Sequence, residues 1–317
     1  MSAYTDPSQC KVALLCGGTS GEREVSLNSG KGAQEALLEA GFDVTMLDTA
    51  NKSDLMVLLR EHFDVAFLTL HGAGGEDGTI QGMLEILGIP YIGSDVAASS
   101  LAINKAKAKM VYVSAGIPTP ASAAYTDLTE VDFDEIIQRV GMHCVVKACF
   151  EGSSNGIYMV EDRASLEEAV KSALDLDGEV LIEQYVAGDE YTVAVVGNKE
   201  IESLPVIQIV PASDYYDYEA KYAPGGSKHL CPAPISEELT ARLQDLAVRA
   251  HKALGCSGVS RSDFIVDSQG NAWILETNTI PGMTKTSLLP DAARAKGYTF
   301  AELAKRLIDL AFEKHQK

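Results

Sequence analysis

From Lys11 onward, short apolar runs alternate with longer amphipathic stretches: residues 12–16, 27–40, 44–47, 55–59, 65–70 and 80–87. This is the β-α-β-α rhythm of a parallel sheet flanked by helices. Gly41 stands where the residue after a helix belongs, and Pro90 closes the unit after Gly88. A first α/β domain is therefore expected over residues 1–100. Residues 99–116 read as one lysine-rich helix carrying Lys105, Lys107 and Lys109. It is stopped by Ile117-Pro118-Thr119-Pro120, where proline forbids continuation. The pattern then changes. Residues 145–147, 156–160 and 180–183 predict antiparallel strands with a helix over 166–176, which makes 101–185 a central α+β domain. The remainder, 186–317, predicts strands at 191–196 and 204–210 and a polar loop at 214–226 rich in Tyr, Gly and Pro. A helix at 237–254, a hairpin and a C-terminal helix complete it. The fold class is α/β, as an α+β multidomain chain, with no internal repeat and no low-complexity tract.

Composition narrows the function. The chain has 317 residues, enough for real hydrophobic cores, and 26 Lys plus Arg against 45 Asp plus Glu leave a net charge of −19. A field of that sign repels a phosphate backbone, so no nucleic-acid partner is expected. With 46% hydrophobic and 22% charged residues the composition is that of a folded globular protein. The polar N-terminus and the lack of any apolar run near the ~18 residues that span a bilayer speak against export and against a membrane partner. Cys10, Cys16, Cys144, Cys149, Cys231 and Cys256 are scattered without metal-binding spacing. They read as reduced core residues of a cytoplasmic protein.

The hairpin carries the most chemistry. Residues 260–266 and 271–276 flank the turn Asp267-Ser268-Gln269-Gly270. A symmetric turn sets Arg261 opposite Glu276 and Asp263 opposite Ile274. Alternation then puts Arg261, Asp263, Glu276 and Asn278 on one face and Phe264, Val266, Trp273 and Leu275 on the other. Oxygen ligands without His or Cys are what Mg²⁺ prefers. Two readings stay open: a hard-cation site, or a solvated sheet face with an Arg–Glu cross-strand pair.

Three glycine-rich loops add candidates. Gly17-Gly18-Thr19-Ser20-Gly21 lies between a strand and a helix and suits an anion, but it is neither a GxGxxG nor a GxxxxGK[ST] motif. Residues 71–78, HGAGGEDG, follow a second parallel strand at the end where α/β sheets bind ligands. His71 there is open to a ligand role or a structural one. The third loop, Glu151 to Gly156, follows Lys147 and can fold amides over phosphates or serve as a plain hairpin turn. Lys105 and Lys147 matter because a strongly acidic protein that binds a polyanion has to place cations locally.

Five segments in order, GGTSGEREVSLNSG (17–30), LHGAGGEDGTIQGMLE (70–85), EGSS (151–154), YDYEAKY (216–222) and ETNTIPGMT (276–284), carry a resemblance. The chain resembles the D-alanine–D-alanine ligases of the ATP-grasp superfamily over nearly its whole length. The resemblance implies an ATP-grasp fold with an N-terminal parallel α/β domain, and ATP-dependent joining of two D-alanine molecules through an acyl phosphate, for peptidoglycan precursor synthesis. It further implies ATP and Mg²⁺ or Mn²⁺ as cofactors, with two ions, and a homodimer. Lys105 and Lys147 correspond to lysines on the ATP phosphates, and Glu183, Gln184, Tyr185, Val186 and Glu190 to the adenine and ribose pocket. Lys221 would reach the γ-phosphate from the 214–226 loop, expected to be mobile.

The resemblance also makes Asp263, Glu276 and Asn278 the metal ligands. Glu22 holds the first D-alanine ammonium, with Ser153 and Tyr222 as its hydrogen-bonded partners. Arg261 and the Gly282 N–H stabilise the oxyanion, Ser287 and Leu288 meet the second D-alanine, and His71 lies near the first. Ala148, where proline is frequent, and Cys149 and Phe150 depart from the family pattern. A D-lactate or D-serine acceptor is the rival within the class. A nucleotide-binding protein without catalysis is the rival outside it, and Asp263, Glu276 and Arg261 speak against that.

Overall fold

The computed structural model describes residues 6–152, 155–211 and 227–315. Ser153, Lys221, Tyr222 and the expected loop at 214–226 lie outside the described residues. The first layer is parallel: β1 (Lys11–Cys16) pairs with β2 (Asp43–Asp48) on one side and β3 (Val65–Leu68) on the other, in the order β2-β1-β3. Val12 to Cys16 and Val65 to Leu68 are buried along their length, because helices cover both faces of a parallel sheet. Those helices are α1 (Arg23–Glu39), α2 (Lys52–Arg60) and α3 (Thr79–Leu87).

The lysine-rich stretch is two helices rather than the single one expected, α4 (Val96–Ile103) and α5 (Lys105–Ser114). Asn104 divides them. Its extended backbone leaves the helix, its side-chain oxygen accepts from Lys107 N at 2.9 Å, and its amide donates to Glu179 at 2.7 Å. An asparagine that caps the following turn cannot also continue the preceding one. Lys105 thus opens a helix instead of sitting in the middle of one.

A second sheet has the order β4-β7-β5-β6, all antiparallel, from β4 (Ser122–Tyr125), β5 (Cys144–Ala148), β6 (Ile157–Val160) and β7 (Val180–Gln184). Helices α6 (Phe133–Val140) and α7 (Arg163–Asp177) pack on it; β4 and α6 have no counterpart among the expected elements. Asp162 and Ser165 cap the N-terminus of α7 with a reciprocal capping box. The third sheet runs β11-β10-β8-β12-β13, with β9 beside β8, from β8 (Gly188–Gly197), β9 (Ile201–Ser203), β10 (Ile207–Pro211), β11 (Ser227–Leu230), β12 (Gly258–Asp267) and β13 (Ala272–Asn278). Helix α8 (Glu237–Ala253) covers one face, and α9 (Leu288–Lys296) and α10 (Phe300–His315) end the described chain. Helix α10 returns to the first sheet, where Leu303, Leu307 and Ile308 join the core of Leu14, Leu37 and Phe67.

The hairpin register differs from the symmetric expectation. Near the turn Val266 faces Ala272 and Phe264 faces Ile274. Beyond a bulge Asp263 faces Glu276, and Arg261 faces Asn278. Ala272 and Ile274 are therefore the residues that join Phe264 and Val266 in the core, while Trp273 and Leu275 are only partly buried. One extra residue in the turn reverses the facing, and the extra residue of the bulge reverses it back. Arg261, Asp263, Glu276 and Asn278 consequently share a face by a different register.

Candidate active site

A cavity of about 1020 Å³ opens between the three sheets, and every candidate residue within the described chain lines it. The first layer supplies its floor. Glu22 stands at the N-terminus of α1, where the preceding loop is held by an ion pair: Arg23 reaches Asp48 at 2.5 Å and the Gly18 carbonyl at 2.8 Å. The Arg23 hydrogen bonds, with help from the N–H groups of Ala50 and Gly18, hold the Asp48 carboxyl down at about 2. Ser20 Oγ donates to the His71 carbonyl at 2.7 Å, joining the first glycine loop to the second.

His71 is buried against Ser29 Oγ at 3.2 Å, and Ser29 Oγ also accepts from Met283 N at 3.3 Å. Burial, and then the Arg261 charge, push the imidazole down to about 4, so it is neutral at pH 7. Glu76, on the 71–78 loop and not among the expected site residues, accepts from Gly72 N at 3.0 Å and Ile280 N at 3.3 Å. Burial and the nearby Glu22 charge hold its carboxyl well above the usual carboxylate range. The loop after Lys147 closes over Glu22. A Cβ on Gly152 would lie 2.3 Å from Glu22 Oε2, so the absent side chain is what lets the two approach.

Helix α5 and the second sheet together present cations and apolar side chains. Lys105 Nζ donates to the Glu151 carbonyl at 2.6 Å and lies 3.6 Å from Glu276. Lys147 is ion-paired with Glu183 Oε1, and Lys109 lies 2.8 Å from Glu183 Oε2. Burial opposes the charge on Glu183, and the two ammonium groups overcome it, so its carboxyl sits below the usual range. Sequence reasoning did not place Lys109 here; its spacing of four from Lys105 on one helix is the signal that could have found it. Tyr185 is held by stacking on His143, with centroids 4.0 Å apart. It shares the cavity lining with Gln184, Val186, Ile157 and Met159, and with Ile209 and Leu275 of the third sheet. Ile157 and Met159 are exposed apolar side chains that face this cavity, as in a pocket for a flat aromatic ring. Glu190 lines the same wall from β8.

On the third sheet Arg261 grips Asp263 with two bonds, Nε to Oδ1 at 3.0 Å and Nη2 to Oδ2 at 2.8 Å, while Thr192 Oγ1 donates to Oδ1 at 2.5 Å. Asn278 Nδ2 lies 3.4 Å from Asp263 Oδ2, and Glu276 is opposite Asp263 in register. Among the described residues no three His, Cys, Asp or Glu side chains gather as a metal cluster. The set is two carboxylates and an amide, all oxygen donors, which suits a hard divalent cation that keeps waters and substrate oxygens. Behind it runs a buried hydroxyl chain: Tyr112 donates to Thr277 Oγ1 at 2.8 Å, and Thr277 meets Ser262 Oγ at 2.9 Å. Gly282 approaches Ser287 so closely that a Cβ would meet its Oγ at 2.9 Å. Ser287 and Leu288 open α9 with no side chain capping its amides, which leaves a helix N-terminus facing the cavity.

No described helix is long and apolar enough to cross a membrane, and the described cysteines are all unpaired.

Comparison with known proteins points to one family along the chain. The family description "D-ala D-ala ligase C-terminus" matches residues 112–309, and "D-ala D-ala ligase N-terminus" matches residues 49–94. A D-alanine–D-alanine ligase from Carboxydothermus hydrogenoformans is 44% identical over 312 residues, covering 97% of this chain and all of that one. The crystal structure of D-alanine–D-alanine ligase from Bacillus anthracis superposes with a TM-score of 0.86 at 33% identity, covering 97% of this chain and 99% of that one. The same ligase complexed with ATP gives 0.85 at 31% identity, with coverages of 97% and 99%.

Proposed function

The chain belongs to the D-alanine–D-alanine ligases, and from that membership we infer that its cavity is where ATP drives the joining of two D-alanine molecules, as a supply of peptidoglycan precursor. It has the ATP-grasp fold of that family. The observation that carries the site assignment is the convergence on one cavity of Glu22, Lys105 and Ser287 from three helix N-termini and of Lys147, Arg261 and Asp263 from two sheets.

The cavity lining around Tyr185 and Val186 takes the adenine, Glu190 the ribose, and Lys105 and Lys147 the phosphates. Glu22 receives the ammonium of the first D-alanine and turns its carboxylate toward the γ-phosphoryl group. Attack there forms the acyl phosphate and releases ADP, while the lysines offset the charge that develops on the transferring oxygens. Asp263, Glu276 and Asn278 would hold Mg²⁺ or Mn²⁺, two ions in the proposal, which when bound neutralise phosphate charge as a Lewis acid. The carboxylate of the second D-alanine lies at the N-terminus of α9, held by Ser287 and the Leu288 amide. Its amine attacks the acyl carbonyl, Arg261 and the Gly282 N–H take the oxyanion, and phosphate departs as the dipeptide forms. His71, neutral and fixed by Ser29, shapes the first D-alanine subsite without adding charge.

Ser153, Lys221 and Tyr222 complete the proposal from outside the described residues. So do a division of the chain near residues 100 and 185, a homodimer and a cytoplasmic location. The test is ATP-dependent phosphate release with D-alanine as sole co-substrate, followed by competition between equal D-alanine and D-lactate from pH 6 to 9. Dipeptide as the dominant product is expected. No phosphate release would overturn the reading, and predominant depsipeptide at pH 7 would overturn the acceptor.

A further inference from the structure

Lys109 stands behind the cavity wall and is more buried than the lysines that face the cavity: 3% exposed, against 8% for Lys105 and 8% for Lys147. Its ammonium donates to Glu183 Oε2 and to Thr119 Oγ1, each at 2.8 Å, and the Thr119 hydroxyl donates to the Ile274 carbonyl at 2.8 Å. Ile274 lies on β13, the strand of Glu276 and Asn278. Lys109 is thereby fixed from both the second and the third sheets. The other oxygen of Glu183 is taken by Lys147.

A buried carboxylate with one ammonium holds it with its whole charge, and pulling that ammonium away strands an uncompensated anion. With a second ammonium on the opposite oxygen the charge is shared, the group of three carries one net positive charge, and either cation can move while the carboxylate stays paired. Lys109 is not the one that moves, since its remaining partner is the half-buried Thr119 hydroxyl and it does not line the cavity. Lys147 faces the cavity.

We propose that Lys109 is a positioning residue: it holds Glu183 in place and compensated, so that Lys147 is free to turn to a nucleotide polyphosphate. The inference rests on the nucleotide reading above and deepens it. An anion entering the cavity draws Lys147 from Glu183 at little cost, because Lys109 is already there.

The experiment is calorimetric titration of the full chain with adenosine and with ADP, for the wild type, Lys109→Met and Lys109→Met/Glu183→Gln, with folding checked by circular dichroism. Lys109→Met should weaken ADP roughly 10- to 100-fold, the worth of a hydrogen bond to a charged group, and leave adenosine within about threefold. The KM for D-alanine at saturating ATP should hold. The double variant removes the carboxylate that would retain Lys147, so its ratio of ADP to adenosine affinity should return to within about threefold of wild type. It also keeps the net charge of the group at one positive, as in the wild type, with that charge on Lys147 at the cavity, so it decides the matter if the single variant fails to fold. Unchanged ADP binding in Lys109→Met, equal losses for adenosine and ADP, or a double variant whose ratio stays as low as that of the single variant would each overturn the inference. Failure of the wild type to bind ADP would instead overturn the nucleotide assignment itself.

Discussion

Replacing Gly152 by alanine should damage the grip on the first D-alanine while leaving the fold alone. The new Cβ would sit 2.3 Å from Glu22 Oε2 and 2.8 Å from Glu22 Cδ, where ordinary contact begins near 3.4 Å. The obstructing atoms belong to the end of a flexible side chain, so the carboxylate gives way by about 1 Å and the backbone stays. At an effective dielectric of about 20, retreat of a unit-charge pair from about 3 to about 4 Å removes about 1.4 kcal/mol. A charge-assisted hydrogen bond lost with it removes about 1.5 kcal/mol more. Together these amount to roughly a 100-fold fall in kcat/KM for D-alanine, in line with the cost of a 1 Å misplacement of a substrate-positioning group. The assay is coupled ADP release with D-alanine varied at saturating ATP, alongside ADP titration and a thermal melt. A kcat/KM within about threefold of wild type would refute the reasoning, because the crowded carboxylate would then not be the one that positions the substrate.

Three further outcomes follow from the same geometry. Glu276→Gln should nearly abolish turnover with an unchanged circular dichroism spectrum, because a neutral amide cannot replace the carboxylate facing Asp263; activity within about threefold would sink the metal-ligand role. Arg261→Ala should lower kcat by roughly 10²–10³, the typical worth of an oxyanion donor, and a rise confined to the KM for ATP would reassign it to the nucleotide. His71 and His251 are both pushed by burial to about 4, below the ordinary 6.5, so the unfolded chain takes up protons that the native one refuses. Their contribution to stability is complete above about 6.5 and is lost as pH falls toward 4. His251→Asn should therefore flatten the fall in melting temperature between pH 6.5 and 5, and parallel curves would contradict this.

Much of the site was legible because its signals are local. The alternation of apolar runs, the glycines at strand ends and the oxygen-only donor set each need only a few neighbouring residues. Those features led to the loops around Glu22 and His71 and to the face shared by Asp263 and Glu276. Registers and long-range pairs are not local. The hairpin's facing depends on the turn length and on the bulge at Leu275, and two displacements of one residue restored a face that either alone would have reversed. Asn104 could continue a helix or cap one, and its bond to Glu179, 75 residues away, tips the choice. Lys109 reads as a surface charge until β7 brings Glu183 to it across 74 residues. Periodicity records which side of an element is apolar. Which buried charge meets which partner is decided by packing, because only in the folded core does the cost of an unpaired ion outweigh the freedom of the chain that carries it.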